Sequence, residues 1–439
     1  MRQRGSTVEA VEYVETVIIG AGQQGCAVAA CLQDVGREAV VLERGEIGQA
    51  WAHERWDSLL VGSGIRSIRF PGWEFESDDP HASLSGPELA EHLRRYAADR
   101  KLRIRQHTPV HKVECPPRVA VGDDVRFRTH FGTGGIIESR NLVAAVGGYA
   151  APRIPDVAAA LDPSVHQMHS RYYRNPASLP DGAVLVVGAG ISGQQIADEL
   201  ADAGRRVFLS VGRHRAWPHR YRGRRIHEWM YAFGLYGEFV TGNTGGPAVL
   251  PGLPVTAVTS GDSDLNLGTL AAKGVTLVGS TRGAEQRTLL LADNVSATVE
   301  QSARAYRQII DTIDAGISRR GFVVPEQRPT PEVRRDHIAD FGPRLDLAQH
   351  DITTVIWCTG FGPDYRVLPA EVLDERGAPL HEKGRVGAVP GLYYAGLPDG
   401  DSLASVAISA SVDNGRFIAG QIHIDHVMRS GSAEPVIVA

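Results

Sequence analysis

Two stretches of the chain repeat one pattern of apolar, glycine and polar positions. The first, TVIIGAGQQGCAVAACLQDVGREAVVLER from residue 16, predicts a short apolar strand, a tight turn, a helix and a second strand. The second, AVLVVGAGISGQQIADELADAGRRVFLSVGR from residue 183, predicts the same order of elements. A strand joined to a helix by a glycine-rich turn is the phosphate-binding unit of doubly wound α/β folds. The pattern therefore predicts two nucleotide-binding units in one chain.

The first turn has the spacing GxGxxG, and its glycines are Gly20, Gly22 and Gly25. In this spacing the first glycine permits the turn, the second admits a pyrophosphate and the third lets the helix approach the strand. The next strand ends at Glu43, whose carboxylate can accept hydrogen bonds from both ribose hydroxyls of an adenosine. Gln24 and Arg44, beside the turn and the acid, are further candidate cofactor contacts.

The second turn repeats the spacing but differs at the end of its second strand. Its candidate cofactor contacts are Gly188, Gly190, Ser192 and Gly193. Val211 stands where the first unit has Glu43, and Arg213 and Arg215 follow it. An acid at this position would repel a ribose 2′-phosphate, whereas guanidinium groups can bind one in fork geometry. The second ligand is therefore expected to be NADPH rather than NADH, with solvated arginines as the alternative.

Four further stretches carry a family resemblance. They are GQAWAHERWDSL (48–59), LVAAVGGYAAPRIP (142–155), VIWCTGFGPD (355–364) and PGLYYAGL (390–397). Together with the two turns they resemble the flavin-containing monooxygenase superfamily, the class B single-component enzymes that use FAD and NADPH, and within it the bacterial flavin-monooxygenase-like branch. The resemblance extends from about residue 14 to about residue 425. It implies that FAD binds the first turn, with further cofactor contacts from Trp51, Ala145, Gly147, Thr359, Gly360 and Phe361.

The stretch HSRYYRNP, just ahead of the second turn, matches half of a family signature. His169 and Tyr173 fit the second half of F-x-G-x-x-x-H-x-x-x-(F/Y/W), whereas Pro163 and Val165 occupy the phenylalanine and glycine positions. By resemblance, His169 couples the position of NADP(H) to the flavin, and His169 and Tyr173 are the candidate catalytic residues. A hydrogen-bonded structural histidine is the alternative.

A second departure from the family concerns the segment after the G-x-x-W motif. Many members place an asparagine there, near the flavin, but this chain reads LLVGSGIRSIRFPGWEF and has no asparagine before Asn141. Ser63 and Arg66 are the available polar groups. The missing asparagine favours, to some extent, a flavin oxidase that releases hydrogen peroxide.

The resemblance implies an α/β fold in which an NADPH domain is inserted into a discontinuous FAD domain, both domains being Rossmann-like. The expected boundaries are 12–157 for the first FAD part, 158–330 for the NADPH domain with a lid-like insertion at 217–261, and 331–430 for the second FAD part. The aromatic residues of that insertion are substrate-side candidates by resemblance, and core packing is the alternative.

The resemblance also implies the reaction. NADPH reduces the flavin, and a C4a-(hydro)peroxyflavin then oxygenates a small organic substrate. Tyr173, rather than tryptophan, favours a nitrogen or sulfur atom. The alternatives are an NADPH-dependent flavin oxidase or reductase that releases hydrogen peroxide, Baeyer–Villiger oxygenation of a ketone, and a redox-sensing flavoprotein without enzymatic turnover.

Composition narrows these expectations. The 439 residues are 43% hydrophobic and 22% charged, as in a globular protein, and the net charge of −5 argues against a general nucleic-acid binder. No apolar run is long enough to span a bilayer and the start lacks a signal-peptide pattern, so a cytoplasmic protein without membrane association is expected. The four cysteines form no CxxC pair, which argues against a metal site and a disulfide reductase. The expected partners are a small-molecule substrate and O2, with a homodimer left open.

Overall fold

The computed structural model describes residues 11–75, 77, 79, 82–116, 125–235, 257–259, 263–327, 330–339, 341–397 and 408–431. In these ranges the strands are β1 Glu12–Ile19, β2 Ala39–Leu42, β3 Leu60–Gly64, β4 Ser83–Ser85, β5 Ile104–Arg105, β6 Val110–Glu114, β7 Phe127–Phe131, β8 Gly135–Ala144, β9 Ala151–Pro152, β10 His166–His169, β11 Ala183–Val187, β12 Val207–Val211, β13 Arg220–Tyr221, β14 Arg224–Arg225, β15 Ala257–Val258, β16 Asp264–Leu265, β17 Thr276–Gly279, β18 Thr281–Glu285, β19 Thr288–Leu291, β20 Arg344–Asp346, β21 Ile352–Trp357, β22 Phe361–Gly362, β23 His381–Glu382, β24 Val386–Gly387 and β25 Leu392–Tyr394. The helices are α1 Gln23–Asp34, α2 Gln49–Ala52, α3 Gly86–Asp99, α4 Ile191–Asp202, α5 Ile226–Phe233, α6 Leu267–Ala272, α7 Val295–Arg320 and α8 Ser411–Ser430.

The first sheet contains the first predicted nucleotide unit. Its strand order is β23-β24-β25-β8-β1-β2-β5, and the strands from β25 to β5 run parallel. Val17 and Ile18 of β1 are fully buried because apolar side chains pack on both faces of the sheet. Strands β6, β7 and β8 form an antiparallel meander.

The second sheet contains the second unit. It is entirely parallel, in the order β10-β21-β11-β12-β17, and α4 packs against it. The expected α/β fold with two Rossmann-like units is thus confirmed.

The second sheet also includes chain beyond its expected end. Strand β21 (Ile352–Trp357) lies between β10 and β11. The chain therefore returns to the first sheet after Trp357 rather than at residue 331. The apolar pattern of β21 indicates a buried strand, but it contains no information about which sheet the strand joins.

Two features connect the units. The chain crosses between them along β9 and β22, which pair antiparallel, with Phe361 opposite Pro152. Residues 56–65, here called the bridging segment, contribute to both hydrophobic cores. Trp56 and Leu59 pack in the core of the second unit, whereas Val61 and Ile65 pack in the core of the first.

Local sequence signals explain two of the other helices. Helix α3 begins with a capping box between Ser85 and Glu88 and carries Pro87 in its first turn. Helix α7 buries Ile309, Ile313 and Ile317 at helical spacing, as a packing helix should. Among the described residues, no helix is both long and apolar enough to cross a membrane.

Candidate functional site

The first nucleotide turn has the geometry that its glycines predict. Gly20 adopts φ +104°, in the region that favours glycine. A Cβ on Gly25 would lie 1.9 Å from the Gly20 carbonyl oxygen, so only glycine lets α1 approach the turn this closely. A Cβ on Gly22 would meet no protein atom within 4 Å. The backbone at the α1 N-terminus is therefore open to a phosphate group, which fits FAD.

Glu43 lies beside this turn at the end of β2. Its carboxylate is 7% exposed and accepts hydrogen bonds from the backbone N–H groups of Ala21 at 2.6 Å and Gly45 at 3.0 Å. The acid is thus held in place next to the turn, as an adenosine ribose requires. The Arg44 guanidinium, in contrast, forms an ion pair with the Glu54 carboxylate at 2.5 Å.

The two glutamines of the first turn have different roles. Gln24 is buried, and its Oε1 accepts a hydrogen bond from Asn414 Nδ2 of α8 at 3.0 Å. The predicted contact of Gln24 with a cofactor is therefore restricted to its backbone, because its side chain supports a helix. Gln23 Oε1 accepts a hydrogen bond from Trp51 Nε1 at 3.1 Å. The tryptophan of the G-x-x-W motif thus contacts the first turn through a residue that the sequence analysis did not identify.

The second turn reproduces the first. Gly188 adopts φ +109°, and a Cβ on Gly193 would lie 1.8 Å from the Gly188 carbonyl oxygen. Gly190, like Gly22, has open space around its Cβ position. Ser192 is half-buried in the first turn of α4. A second dinucleotide phosphate fits here for the same reasons.

Each turn abuts the end of a neighbouring strand. A Cβ on Gly20 would lie 2.6 Å from the Ala145 carbonyl oxygen, and a Cβ on Gly188 would lie 2.4 Å from that of Cys358. Two residues further on, Gly147 and Gly360 both adopt positive φ. The stretches 145–147 and 358–360 are therefore structural equivalents, one in each unit. Thr359 and Gly360 accordingly lie beside the second turn and not in the returning FAD part, where the family resemblance places them.

The residues at the end of β12 support the prediction that the second turn binds NADPH rather than NADH. Val211 is fully buried, Arg213 is exposed and Arg215 is half-buried, with its guanidinium 5.5 Å from the Trp217 ring centroid. Burial lowers the pKa of Arg215. Neither arginine forms an ion pair with a residue that the structure describes. Between them, burial lowers the pKa of His214 to about 4, so this ring is neutral at pH 7.

His169 is fully buried at the crossing between the units. Its Nδ1 accepts from the Arg171 backbone N–H at 3.1 Å, so the proton resides on Nε2, which donates to the Gly360 carbonyl oxygen at 2.9 Å. The ring also packs edge-on against Phe361 at 4.6 Å, and burial lowers its pKa. Because both ring nitrogens bond to protein groups, this geometry favours a positioning role over the predicted catalytic role.

Tyr173 is also fully buried, and its hydroxyl donates to Glu199 Oε2 of α4 at 2.7 Å. Burial raises the pKa of this phenol, and the bond to Glu199 adds to that effect. Tyr173 therefore fixes the segment between β10 and β11 to α4, and its hydroxyl is occupied by the bond to Glu199. The conclusion is the same as for His169: the geometry supports positioning rather than catalysis.

A cluster of charged and aromatic side chains lies where the crossings meet the first unit. The Arg55 guanidinium lies 5.8 Å from the Trp51 ring, 5.5 Å from Tyr149 and 5.3 Å from Phe361. Burial lowers the pKa of Arg55. Next to it, Arg171 pairs with Glu54 at 2.7 Å, and each of these two side chains is 12% exposed. Phe361 is therefore part of the junction between the units.

Residues 217–235, the first described part of the insertion after β12, pack mainly as core. Trp217, Trp229 and Met230 are buried in one hydrophobic cluster with isoleucines of α7, and the Phe233 ring stacks on Trp229 with 5.5 Å between the ring centroids. Tyr231 is 65% exposed. The glycine- and proline-rich composition of residues 242–254 predicts a loop, which lies outside the described residues.

Comparisons with known proteins agree with this arrangement. Residues 17–227 match the pyridine nucleotide-disulphide oxidoreductase family model. A CzcO-like oxidoreductase of Geobacillus kaustophilus is 29% identical over 88% of this chain and 91% of its own length. The indole-3-pyruvate monooxygenase YUCCA1 of Oryza sativa is 31% identical over 44% of this chain and 47% of its own.

A solved structure extends the similarity over the whole fold. The flavin-containing monooxygenase of Stenotrophomonas maltophilia superposes with a TM-score of 0.58 at 19% identity, covering 95% of this chain and 100% of that one. The expected cofactor pair, FAD and NADPH, agrees with the two turns and with these relatives. In sequence and in fold the chain is therefore similar to flavin-dependent monooxygenases and related oxidoreductases.

Proposed function

We propose that this chain is an FAD- and NADPH-dependent monooxygenase that inserts one atom of O2 into a small organic substrate, at a nitrogen or sulfur atom. The observation that carries the proposal is the contrast between two otherwise equivalent turns. One is followed by the buried acid Glu43, and the other by Val211 with two arginines that have no acid partner in the described structure. That contrast fits two different dinucleotides, one with free ribose hydroxyls and one with a 2′-phosphate.

The chain's own residues would bind and orient these groups. The Gly22 and Gly190 backbones receive the diphosphates, Glu43 receives the adenosine ribose of FAD, and Arg213 receives the 2′-phosphate of NADPH. When bound, the flavin supplies hydride acceptance and oxygen activation, which no side chain can replace. His169 and Tyr173 hold residues 169–173 against the second unit, His169 through the Gly360 carbonyl beside the second turn and Tyr173 through Glu199 of α4.

The cysteines do not supply a competing redox chemistry. Burial raises the pKa of Cys26 and of Cys358 to about 12, so neither is a thiolate at neutral pH. A dithiol reductase is therefore not supported, although the fold is shared with a bacillithiol disulfide reductase of Bacillus cereus.

Rapid mixing tests the proposal. The purified holoprotein is reduced with NADPH without oxygen and is then mixed with oxygenated buffer while the flavin spectrum is followed. We expect a transient flavin absorbance before oxidised flavin returns, and a product when amines or sulfides are present. A product from ketones alone would instead support Baeyer–Villiger oxygenation. Failure of NADPH to reduce the flavin would contradict the proposal.

The second candidate is an NADPH-dependent flavin oxidase or reductase that releases hydrogen peroxide. The absence of asparagine from the segment after Trp51 favours it. Direct return to oxidised flavin with stoichiometric hydrogen peroxide, with and without substrates, would support this candidate. Retention of FAD with no turnover would support a redox-sensing flavoprotein. The cytoplasmic location and the homodimer remain predictions, which cell fractionation and sedimentation measure.

A further inference from the structure

Side chains of the second unit form hydrogen bonds with backbone carbonyl groups of alternate residues along one edge of the bridging segment. Gln195 of α4 donates its Nε2 to the Leu60 carbonyl oxygen at 3.3 Å and to the Val258 carbonyl oxygen at 3.1 Å. Arg225, at the start of α5, donates Nη1 to the Gly62 carbonyl oxygen at 3.3 Å. Carbonyl groups two residues apart in a strand point to the same side. Both donors therefore bind one edge of β3, and both come from the unit that carries the NADPH turn.

Arg225 is the central residue of this contact. It is 4% exposed, its Nη2 donates to Ser83 Oγ of β4 at 3.1 Å, and its Nη1 lies 2.6 Å from His219 Nε2. Because Gly64 of β3 pairs with Ser83 of β4, the guanidinium spans both strands of this hairpin. One side chain of the second unit thus fixes two strands of the first.

Gly64 provides the space that this guanidinium requires. A Cβ at Gly64 would lie 2.4 Å from Arg225 Nε and 2.9 Å from its Cζ. The backbone conformation of Gly64, φ −66° and ψ 154°, is one that any residue adopts. Glycine is needed at position 64 for the approach of Arg225 rather than for the backbone angle.

We propose that Arg225, supported by Gln195, is a positioning residue for hydride transfer from NADPH to the flavin. The inference rests on the proposed function, in which donor and acceptor are held by different units. The rate of transfer then depends on how accurately the units are docked, and a misplacement of about 1 Å can reduce a rate about a hundredfold. Arg225 sets this docking through Gly62 and Ser83, and His219 of its own unit supports the guanidinium.

The chemistry of arginine suits this task better than that of lysine. The planar guanidinium presents several N–H donors in a fixed fork, whereas an ammonium group is a point charge on a flexible stem. We therefore expect Arg225→Lys to recover only part of what Arg225→Met loses. The adjacent Arg224 offers a matched control, since it is exposed and its guanidinium lies over the Trp229 ring at 6.0 Å.

The kinetic test separates docking from binding. Arg225→Met should lower the limiting rate of anaerobic flavin reduction by about tenfold to a hundredfold, with FAD content and the Kd of NADPH close to wild type. Arg224→Met should leave all three unchanged. Gly64→Ala should reproduce the loss, and it should add little when combined with Arg225→Met, because both changes disrupt one contact.

A second measurement needs no NADPH. Hydrogen exchange of the backbone amides of residues 60–64 and 83–85 in the FAD-loaded full chain should be faster in Arg225→Met than in wild type or Arg224→Met. Equal exchange and equal limiting rates in Arg225→Met and wild type would overturn the inference. Failure of NADPH to reduce the wild-type flavin would contradict the proposed function itself, and the exchange comparison would still decide whether Arg225 docks the units.

Discussion

At the scale of single residues, Arg213 is the clearest point of discrimination between the two cofactors. It is exposed beside the end of β12, and the structure shows no acid partner for it among the described residues. A charge-assisted hydrogen bond contributes about 1.5–3 kcal/mol. We therefore expect Arg213→Ala to weaken NADP+ about tenfold to a hundredfold while the weaker binding of NAD+ changes little. Calorimetric titration with both nucleotides measures the difference.

The control for this change is an arginine at the other end of the same strand. Arg206 immediately precedes β12, at the end of the strand that lies away from Arg213, and its Nη2 is 3.8 Å from Asp351 Oδ2. Arg206→Ala should leave both affinities unchanged. An equal loss of NADP+ and NAD+ in Arg213→Ala would show that Arg213 supports the local fold and does not recognise the 2′-phosphate.

At the scale of elements, the two turns allow each cofactor to be removed separately. Gly22 and Gly190 adopt φ −80° and φ −75°, which alanine also adopts, and a Cβ at either position meets no protein atom. Gly22→Ala and Gly190→Ala should therefore fold normally and obstruct only a bound phosphate. We expect Gly22→Ala to lose FAD and Gly190→Ala to retain FAD with NADPH weakened about tenfold or more.

Flavin content after purification and NADPH titration of the holoprotein check this pair. Gly25→Ala is the contrasting change, because its Cβ would lie 1.9 Å from a backbone oxygen and should prevent normal folding. If Gly22→Ala and Gly190→Ala lost the same cofactor, the assignment of the two turns to two different dinucleotides would be wrong.

Elements are also the scale at which sequence reasoning succeeded. The turns, strands β1 and β11 and helices α1 and α4 follow from signals within about 30 residues, because glycine spacing and apolar period are local properties. The bond between Gln23 and Trp51, the contacts of Arg225 with β3 and β4, and the position of β21 in the second sheet join segments that are distant in sequence. A single sequence contains no direct record of such pairings, so these parts of the site required the structure.

At the scale of the whole molecule, two kinds of connection hold the units together. The paired crossings β9 and β22, with His169 bonded to Gly360, form one. The bridging segment, with Trp56 and Leu59 in the second core, forms the other. Since these connections approach the cofactor turns from different segments, the relative placement of the units depends on both, and a change at either should affect hydride transfer before it affects cofactor retention.

Neutral histidines contribute to the response of the whole molecule to acid. Burial lowers the pKa of His214 and of His227 to about 4, and it also lowers the pKa of His169. In the unfolded chain these groups have a pKa near 6.5. Below that pH the unfolded state therefore binds more protons than the folded state, which favours unfolding. For His214 and His227, the stability associated with the neutral ring is therefore complete above pH 6.5 and is lost progressively as the pH falls toward 4. For His214 the loss at pH 5 is about 2 kcal/mol.

We expect the melting temperature to fall between pH 7 and pH 5, and to fall less in His214→Gln, whereas replacement of the exposed His53 should leave the fall unchanged. Thermal unfolding of the three proteins at both pH values decides the matter, and an identical fall in His214→Gln and wild type would show that the buried ring does not control the acid response.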